Sequence, residues 1–360
     1  MAGKYLQGVY ISQKLNLTPF IFKNSHGQKA KNRYNGLYEV NEEEFMKSID
    51  VTKNIFQRKA FVILFAVLAS ILWGSAFPVL KITYEQMNMA GDDLYGKILI
   101  AGIRFFLAGV LLLLYAFITM GAKIKLKRKK DVYRVFSLGL VQTSLNYFFF
   151  YIGLANTTAS KGAIISSLSN FLIIILAHFI YSNDKLNGKK LYGIVFGIIG
   201  VVVVNLDGGV DASFKLMGEG FMFFSVGTAI LSSFMVKSYA KNIHPMLLSA
   251  YQLIFGGFVM LLISLGGSYE TLRVTPLSIG LLVYSAILSA VAFTLWYTLL
   301  KYNKPGEITM FRFLIPVSGS ILSAIFLGET ITIQVAISLF SIVIGIILVN
   351  REPKRKALQA

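Results

Sequence analysis

Long apolar stretches alternate with short polar segments over most of the chain, from residue 61 to residue 349. A helix needs about 20 apolar residues to cross about 30 Å of hydrocarbon, and stretches of that length recur here. The segments between them are too short to hold a soluble catalytic domain. We therefore expect an all-α integral membrane protein with ten transmembrane helices, at 61–83, 97–119, 132–153, 161–181, 189–206, 216–236, 245–265, 277–300, 307–328 and 331–349.

The two ends of the chain lack this pattern. Residues 1–60 mix Asn, Lys, Glu and Tyr without a clear period and contain Pro19, so we expect a flexible cytosolic tail. The segment has no apolar core followed by a small-residue cleavage site, which argues against a signal peptide. Residues 351–360 form a short basic tail, also expected in the cytosol. A translation start at Met46 remains an open alternative.

Composition and charge sharpen the membrane interpretation. Hydrophobic residues make up 55% of the chain, charged residues 14%, and the mean hydropathy is +0.65. The net charge is +18, and 27 of the 35 Lys and Arg residues lie in alternate connecting segments and the two tails. This asymmetry follows the positive-inside rule, so both termini are expected on the cytosolic side of the cytoplasmic membrane. The basic run at 123–130 is then a topology signal that contacts anionic lipid, and nucleic-acid binding is not expected.

The two halves of the chain resemble each other when shifted by about 146 residues. Tyr147–Tyr151 then aligns with Phe293–Tyr297, and Asn156–Ser160 aligns with Tyr302–Gly306. The ordered matches predict two five-helix repeats, at 61–206 and 216–350. Because five is odd, the second repeat must enter the membrane from the opposite side. Inverted repeats of this kind place a substrate site near the bilayer midplane. Proteins built from them transport their substrates by alternating access.

Several short motifs resemble the EamA-type members of the drug/metabolite transporter superfamily. They are Leu72-Trp-Gly-Ser-Ala-Phe-Pro78, Arg104-Phe105, Asn156–Ser160, Phe313-Leu-Ile-Pro-Val317 and Leu327-Gly-Glu329. The resemblance covers about 61–350 and implies a carrier of small metabolites, often amino acids or related compounds, and often an exporter. The first half departs from the pattern: Asn170 stands where the second half has Pro316, and Ser182-Asn-Asp184 replaces Leu-Gly-Glu.

Eight residues are predicted to contact a substrate: Trp73, Ser75, Asn146, Tyr147, Tyr151, Asn170, Trp296 and Arg312. Pro78 cannot donate a hydrogen bond to the Gly74 carbonyl, so the first helix should be kinked or locally open beside Trp73 and Ser75. A packing kink without a role in transport is the alternative.

Charged residues inside predicted helices need a partner or a function. A charge at such a depth costs about 2.5–3.5 kcal/mol on insertion scales. Arg312 could bind an anionic or zwitterionic substrate or pair with Glu307, whereas Arg104 is expected to extend outward toward Glu85 or Asp92.

The third helix carries polar and aromatic residues at helical spacing. Gln142 with Asn146, and Tyr147 with Tyr151, are pairs four residues apart and share one broad face. Trp296 lies at a repeat-related depth in the eighth helix. Polar groups among aromatic side chains suit a substrate cavity, although hydrogen bonds between helices would explain the same residues.

The function predicted from these features is secondary transport of a small metabolite, with no cofactor. The alternatives are a polytopic membrane enzyme or an assembly scaffold. Cys is absent and His26, His178 and His244 are scattered, so no metal site is predicted. The sequence does not identify the substrate, the direction, the coupling mode or whether the protein forms a homodimer.

Overall fold

The computed structural model describes residues 55–350 apart from 91, 127, 158, 205–213, 271, 329 and 331–332. Among these residues all regular elements are helical, and ten long helices coincide with the ten predicted segments. They are α1 Lys59–Gln86, α2 Leu94–Met120, α3 Lys129–Ala155, α4 Ala159–Ile180, α5 Gly188–Val204, α6 Leu216–Tyr239, α7 Pro245–Ser264, α8 Pro276–Tyr302, α9 Pro305–Leu327 and α10 Ile333–Asn350. The predictions for residues 1–54 and 351–360 fall outside the described residues.

Eight of the described helices are long and apolar enough to cross a membrane. The exceptions are α5, which has 17 residues, and α10, whose apolar stretch is Ile333–Val349. Large apolar side chains project from the outer helix faces; Phe179 and Phe340, for example, remain 73% and 69% exposed. Apolar surface on this scale is expected where lipid rather than water surrounds the protein.

Two helix pairs pack closely along much of their length, α2 with α7 and α5 with α10. Glycines allow the close approach in both pairs, because an added Cβ would overlap the neighbouring helix. In the first pair Gly102 faces Leu261 and Gly109 faces Ala250, so the two helices run antiparallel. In the second pair Gly193 faces Gly345 and Val349.

Further contacts join helices of the first half of the chain to helices of the second half. Helix α1 packs against α8 and α9, and α6 packs against α3 and α4. Each of these contacts joins the segment before residue 205 to the segment after residue 213. The apolar core therefore forms between the two halves of the chain and contains fully buried side chains from both, such as Phe105 and Tyr297.

Three of the described helices depart from regular α-helical geometry, α6 through a π-helical segment at its start, Leu216–Gly220. Helix α3 contains a π-helical segment, Gly139–Leu145, and α9 contains a 3₁₀ segment, Thr309–Phe313, just before Pro316. The π segment of α3 is held from α7: the Thr143 hydroxyl donates to the Gln252 side-chain oxygen at 2.8 Å. Such irregular turns change the direction of the side chains that follow.

The sequence predicted that α1 is kinked or locally open at Pro78, and the opening is absent, since α1 is α-helical throughout Lys59–Gln86. Gly74 instead packs tightly against α9, where an added Cβ would lie 2.1 Å from the Ser318 hydroxyl oxygen. The Gly74 carbonyl lies close to Gly319. The Gly74 carbonyl, to which Pro78 cannot donate a hydrogen bond, is therefore covered by α9. A backbone carbonyl at membrane depth must be shielded from lipid in this way.

Candidate functional site

A cavity of about 470 Å³ lies between the two halves of the chain. Its walls come from α1, α2, α3 and α4 on one side and α6, α8 and α9 on the other. The cavity volume falls within the range of small-molecule sites. Six of the eight residues predicted to contact a substrate line it: Trp73, Asn146, Tyr147, Tyr151, Trp296 and Arg312.

Ser75 and Asn170 lie outside the cavity wall, unlike the other six. The Ser75 hydroxyl donates to the Leu72 carbonyl at 2.8 Å and hydrogen-bonds with the Tyr284 hydroxyl at 2.9 Å. Asn170 is largely buried beside Ser169, which does line the cavity. The reason is helical rotation: a residue one or two positions along a helix points away from its neighbour's face.

Arg312 lies in the 3₁₀ segment of α9, with its guanidinium against two tryptophans. The guanidinium carbon is 5.8 Å from the ring centroid of Trp73 and 5.8 Å from that of Trp296. Its Nε atom is enclosed by protein and has no hydrogen-bond partner. The alternative pairing with Glu307 is not formed, because Glu307 accepts from the Lys304 ammonium at 3.0 Å.

Arg104 is buried and does not extend outward toward Glu85 or Asp92. Its Nε donates to the Ser289 hydroxyl at 2.7 Å, and its side chain is 4% exposed. It also lines the cavity. The expectation from the sequence was wrong because Ser289 belongs to α8, far along the chain, and nothing local to Arg104 signals that contact.

The polar face of α3 serves both the cavity and the packing of helices. The Asn146 amide donates to the Ser225 carbonyl of α6 at 3.1 Å, which is the interhelical hydrogen bond considered from the sequence. The Tyr147 ring stacks obliquely on Phe105, with centroids 4.6 Å apart, and lies 6.1 Å from the Tyr151 ring. Asn146 therefore has one of its two amide N–H donors committed, while Tyr147 and Tyr151 present aromatic surface.

The charges on the cavity wall are all of one sign. The lining contains Lys81, Arg104 and Arg312, and none of its described residues is Asp or Glu. Low-dielectric walls strengthen the potential of such a set, so the cavity attracts negative charge.

Several lining residues were not predicted as site residues. They are Lys81, Tyr84, Ser166, Ser169, Ser225, Ser233 and Tyr297 among the polar ones. Ser166 and Ser169 are three residues apart in α4, a spacing that places them on one helix face and could have signalled a polar stripe. The Tyr297 hydroxyl and the Ser166 hydroxyl are enclosed without a hydrogen-bond partner.

Comparison with known proteins gives the same family along most of the chain. The model of the EamA-like transporter family matches residues 60–206 and again residues 216–351. An uncharacterized transporter of Bacillus subtilis, YetK, is 29% identical over 283 residues, which are 76% of this chain and 81% of that protein. A solved structure described as "Crystal structure of protein" has the same fold, with a TM-score of 0.67 at 16% identity, and covers 79% of this chain and 94% of that one.

A more distant relative carries a functional name. A protein of Salmonella typhimurium named "Probable amino-acid metabolite efflux pump" is 22% identical over 283 residues, which are 74% of this chain and 87% of that protein.

Proposed function

The chain belongs to the EamA-like transporter family, and we propose that it is a secondary transporter which moves a small organic metabolite across the cytoplasmic membrane. The substrate is an amino acid or a related organic compound, and export is the expected direction. The single observation that carries the proposal is the cavity of about 470 Å³ between the two halves of this multi-pass membrane protein. The name of the Salmonella relative agrees with this substrate class.

The packing of the helices supports a duplicated ten-helix frame. If each helix of the first half corresponds to the helix five places later, the contact of α1 with α8 corresponds to that of α6 with α3. The contact of α1 with α9 corresponds in the same way to that of α6 with α4, while α2–α7 and α5–α10 each correspond to themselves. Repeats spanning 61–206 and 216–350 would produce this pattern.

The direction of the helices supports an inverted second repeat. A helix and its counterpart in an inverted repeat must run antiparallel, and α2 runs antiparallel to α7. The same holds for α5 and α10, where Gly193 faces Val349 and Gly200 faces Ile342. With the positive-inside charge distribution, this frame would place both chain termini in the cytosol.

Alternating access follows from a site between two such halves. Rocking of one half against the other would open the cavity to each side of the membrane in turn. The irregular segments of α3 and α9 border the cavity, where a change of helix geometry would be tolerated because neighbouring side chains satisfy the backbone.

Transport by the purified protein tests the proposal. Proteoliposomes preloaded with a labelled mixture of amino acids and small organic acids should release part of that mixture faster than protein-free liposomes do. Trp296→Ala, which removes cavity wall, should slow the release, whereas Ser75→Ala, which lies outside the wall, should leave it near the wild-type rate. Equal release from liposomes with and without the protein would contradict the proposed function.

A further inference from the structure

We propose that the cavity selects organic anions without an ammonium group, binding their carboxylate at Arg312 and their apolar body against the aromatic wall. The inference rests on the proposed transport function and names the substrate class for it. It excludes zwitterionic amino acids as the preferred substrates, although their carbon skeletons would fit the same space.

The charge of the wall carries the first step. Arg104 and Arg312 contribute positive charge, and neither has a carboxylate partner among the described residues of the lining. Burying like charges together in a low-dielectric site is unfavourable unless an opposite charge arrives. A net anion supplies that charge, whereas a zwitterion brings an equal positive charge into the same field.

Arg312 provides the binding group. Its guanidinium makes no hydrogen bond to the part of the chain that the structure describes, and its Nε is enclosed. Trp73 and Trp296 contact the guanidinium and limit its orientations, so its planar fork is held ready for a ligand. A guanidinium fork matches the two oxygens of a carboxylate better than any other common group.

Two further groups strengthen the anion site. The Tyr297 hydroxyl is enclosed without a partner and can donate to a carboxylate oxygen. Arg104 has its Nε committed to Ser289 and adds its positive charge to the same cavity wall. Both guanidiniums and the Tyr297 phenol therefore line one cavity.

The described wall offers an ammonium group no carboxylate. The polar acceptors on the wall are neutral hydroxyl and amide groups, such as those of Ser169 and Gln142. Aromatic faces attract ammonium groups, Trp most strongly, and the faces of Trp73 and Trp296 already contact the Arg312 guanidinium, which leaves only the weaker tyrosine and phenylalanine faces of the wall. An amino acid bound through its carboxylate would hold its ammonium group close to the Arg312 guanidinium. No carboxylate of the described wall would offset the repulsion between these two positive charges.

Matched probe pairs test this selectivity on the purified full-length protein. Isothermal titration compares 3-phenylpropionate with phenylalanine, and 4-methylpentanoate with leucine, since each pair shares a carboxylate and a skeleton. The neutral 3-phenylpropanamide controls for partition into detergent. We expect each acid to bind roughly tenfold or more tightly than its amino acid, because like charges oppose the ammonium group, and the amide to bind weakly.

Variants of Arg312 locate the binding group. Arg312→Gln should abolish the difference between acid and amide, and Arg312→Lys should restore part of it. If Arg312→Gln does not fold, the ranking of probes on the wild-type protein still decides. An amino acid that binds as tightly as its acid, or more tightly, would overturn the proposal.

Flux measurements separate this inference from the proposed function. Selective binding of the acids without any release from proteoliposomes would support the inference and contradict transport. Release of amino acids in preference to the matched acids would support transport and overturn the inference.

Discussion

Buried charges at the helix ends differ from buried charges on the cavity wall. Asp184, between α4 and α5, is almost completely buried and accepts from the Lys190 ammonium and from the Gly306 backbone N–H, the latter at 2.7 Å. Asp131, at the start of α3, is also buried and accepts from Arg134 at 2.9 Å. Each of these carboxylates has a cationic partner within its own region.

The cavity cations show the opposite arrangement. Arg104 is bonded to a neutral hydroxyl and Arg312 to no hydrogen-bond acceptor among the described residues, although both are enclosed by helices. The fold therefore neutralises a buried charge where that charge serves structure, as at Asp184 and Asp131. Leaving the buried Arg104 and Arg312 charges unpaired lowers the stability of the protein. We infer that they are left unpaired because a bound ligand completes the pairing.

Asp184→Ala should have the largest effect on stability. Removing one partner of a buried ion pair leaves the Lys190 charge uncompensated, which costs about 3–5 kcal/mol of unfolding free energy. Reversible denaturation in detergent measures the loss. Replacing both Asp184 and Lys190 with Asn and Met is the matched control, and it should be clearly more stable than the single variant. A single variant within about 1 kcal/mol of wild type would show that this pair is not structural.

Arg312→Gln should have the largest effect on binding, with little loss of stability. A hydrogen bond to a charged group contributes about 1.5–3 kcal/mol, so carboxylate affinity should fall about 10- to 100-fold. Unfolding free energy should stay the same or rise, because an unpaired buried charge is removed. A large destabilisation with unchanged affinity would place Arg312 with the structural charges and break the comparison.

Arg104→Gln should weaken carboxylate binding by less than Arg312→Gln does. Its Nε is already bonded to Ser289, so it acts on the ligand mainly through its charge. We expect a decrease of about fivefold, near the 1 kcal/mol expected of a modest electrostatic contribution. Ser289→Ala serves as the control for the lost hydrogen bond, and titration of both variants with 3-phenylpropionate measures the difference. Equal losses in the Arg104 and Arg312 variants would show that the two guanidiniums bind the ligand jointly.

Glu307→Gln should have the smallest effect of the four. The Lys304–Glu307 pair is about two-fifths exposed, and exposed pairs contribute about 0–1 kcal/mol. Neither unfolding free energy nor carboxylate affinity should change measurably. A clear loss of carboxylate affinity would contradict this prediction and would mean that Glu307 interacts with Arg312.

Parts of the cavity could be predicted from the chain because their causes are local. Trp73, Tyr147 and Arg312 stand out in sequence as aromatic or charged residues within apolar helices, and all three line the cavity. Ser75 was predicted for its closeness to Trp73 along the chain, yet two residues of helix turn its side chain toward Tyr284. Closeness in sequence to Trp73 therefore identified a helix that lines the cavity, but Ser75 lies on a different face of that helix.

The ten long helices of the described residues could be located from hydropathy, because an apolar stretch is a local property of the chain. The pairing of charges depends instead on tertiary packing. Arg104 meets Ser289 and Asp184 meets Gly306 across more than a hundred residues of chain. The π segment in α3 also depends on α7, through Thr143 and Gln252. Hydrophobic burial acts on each segment separately, whereas a charge is satisfied only by the particular group that the packing brings to it.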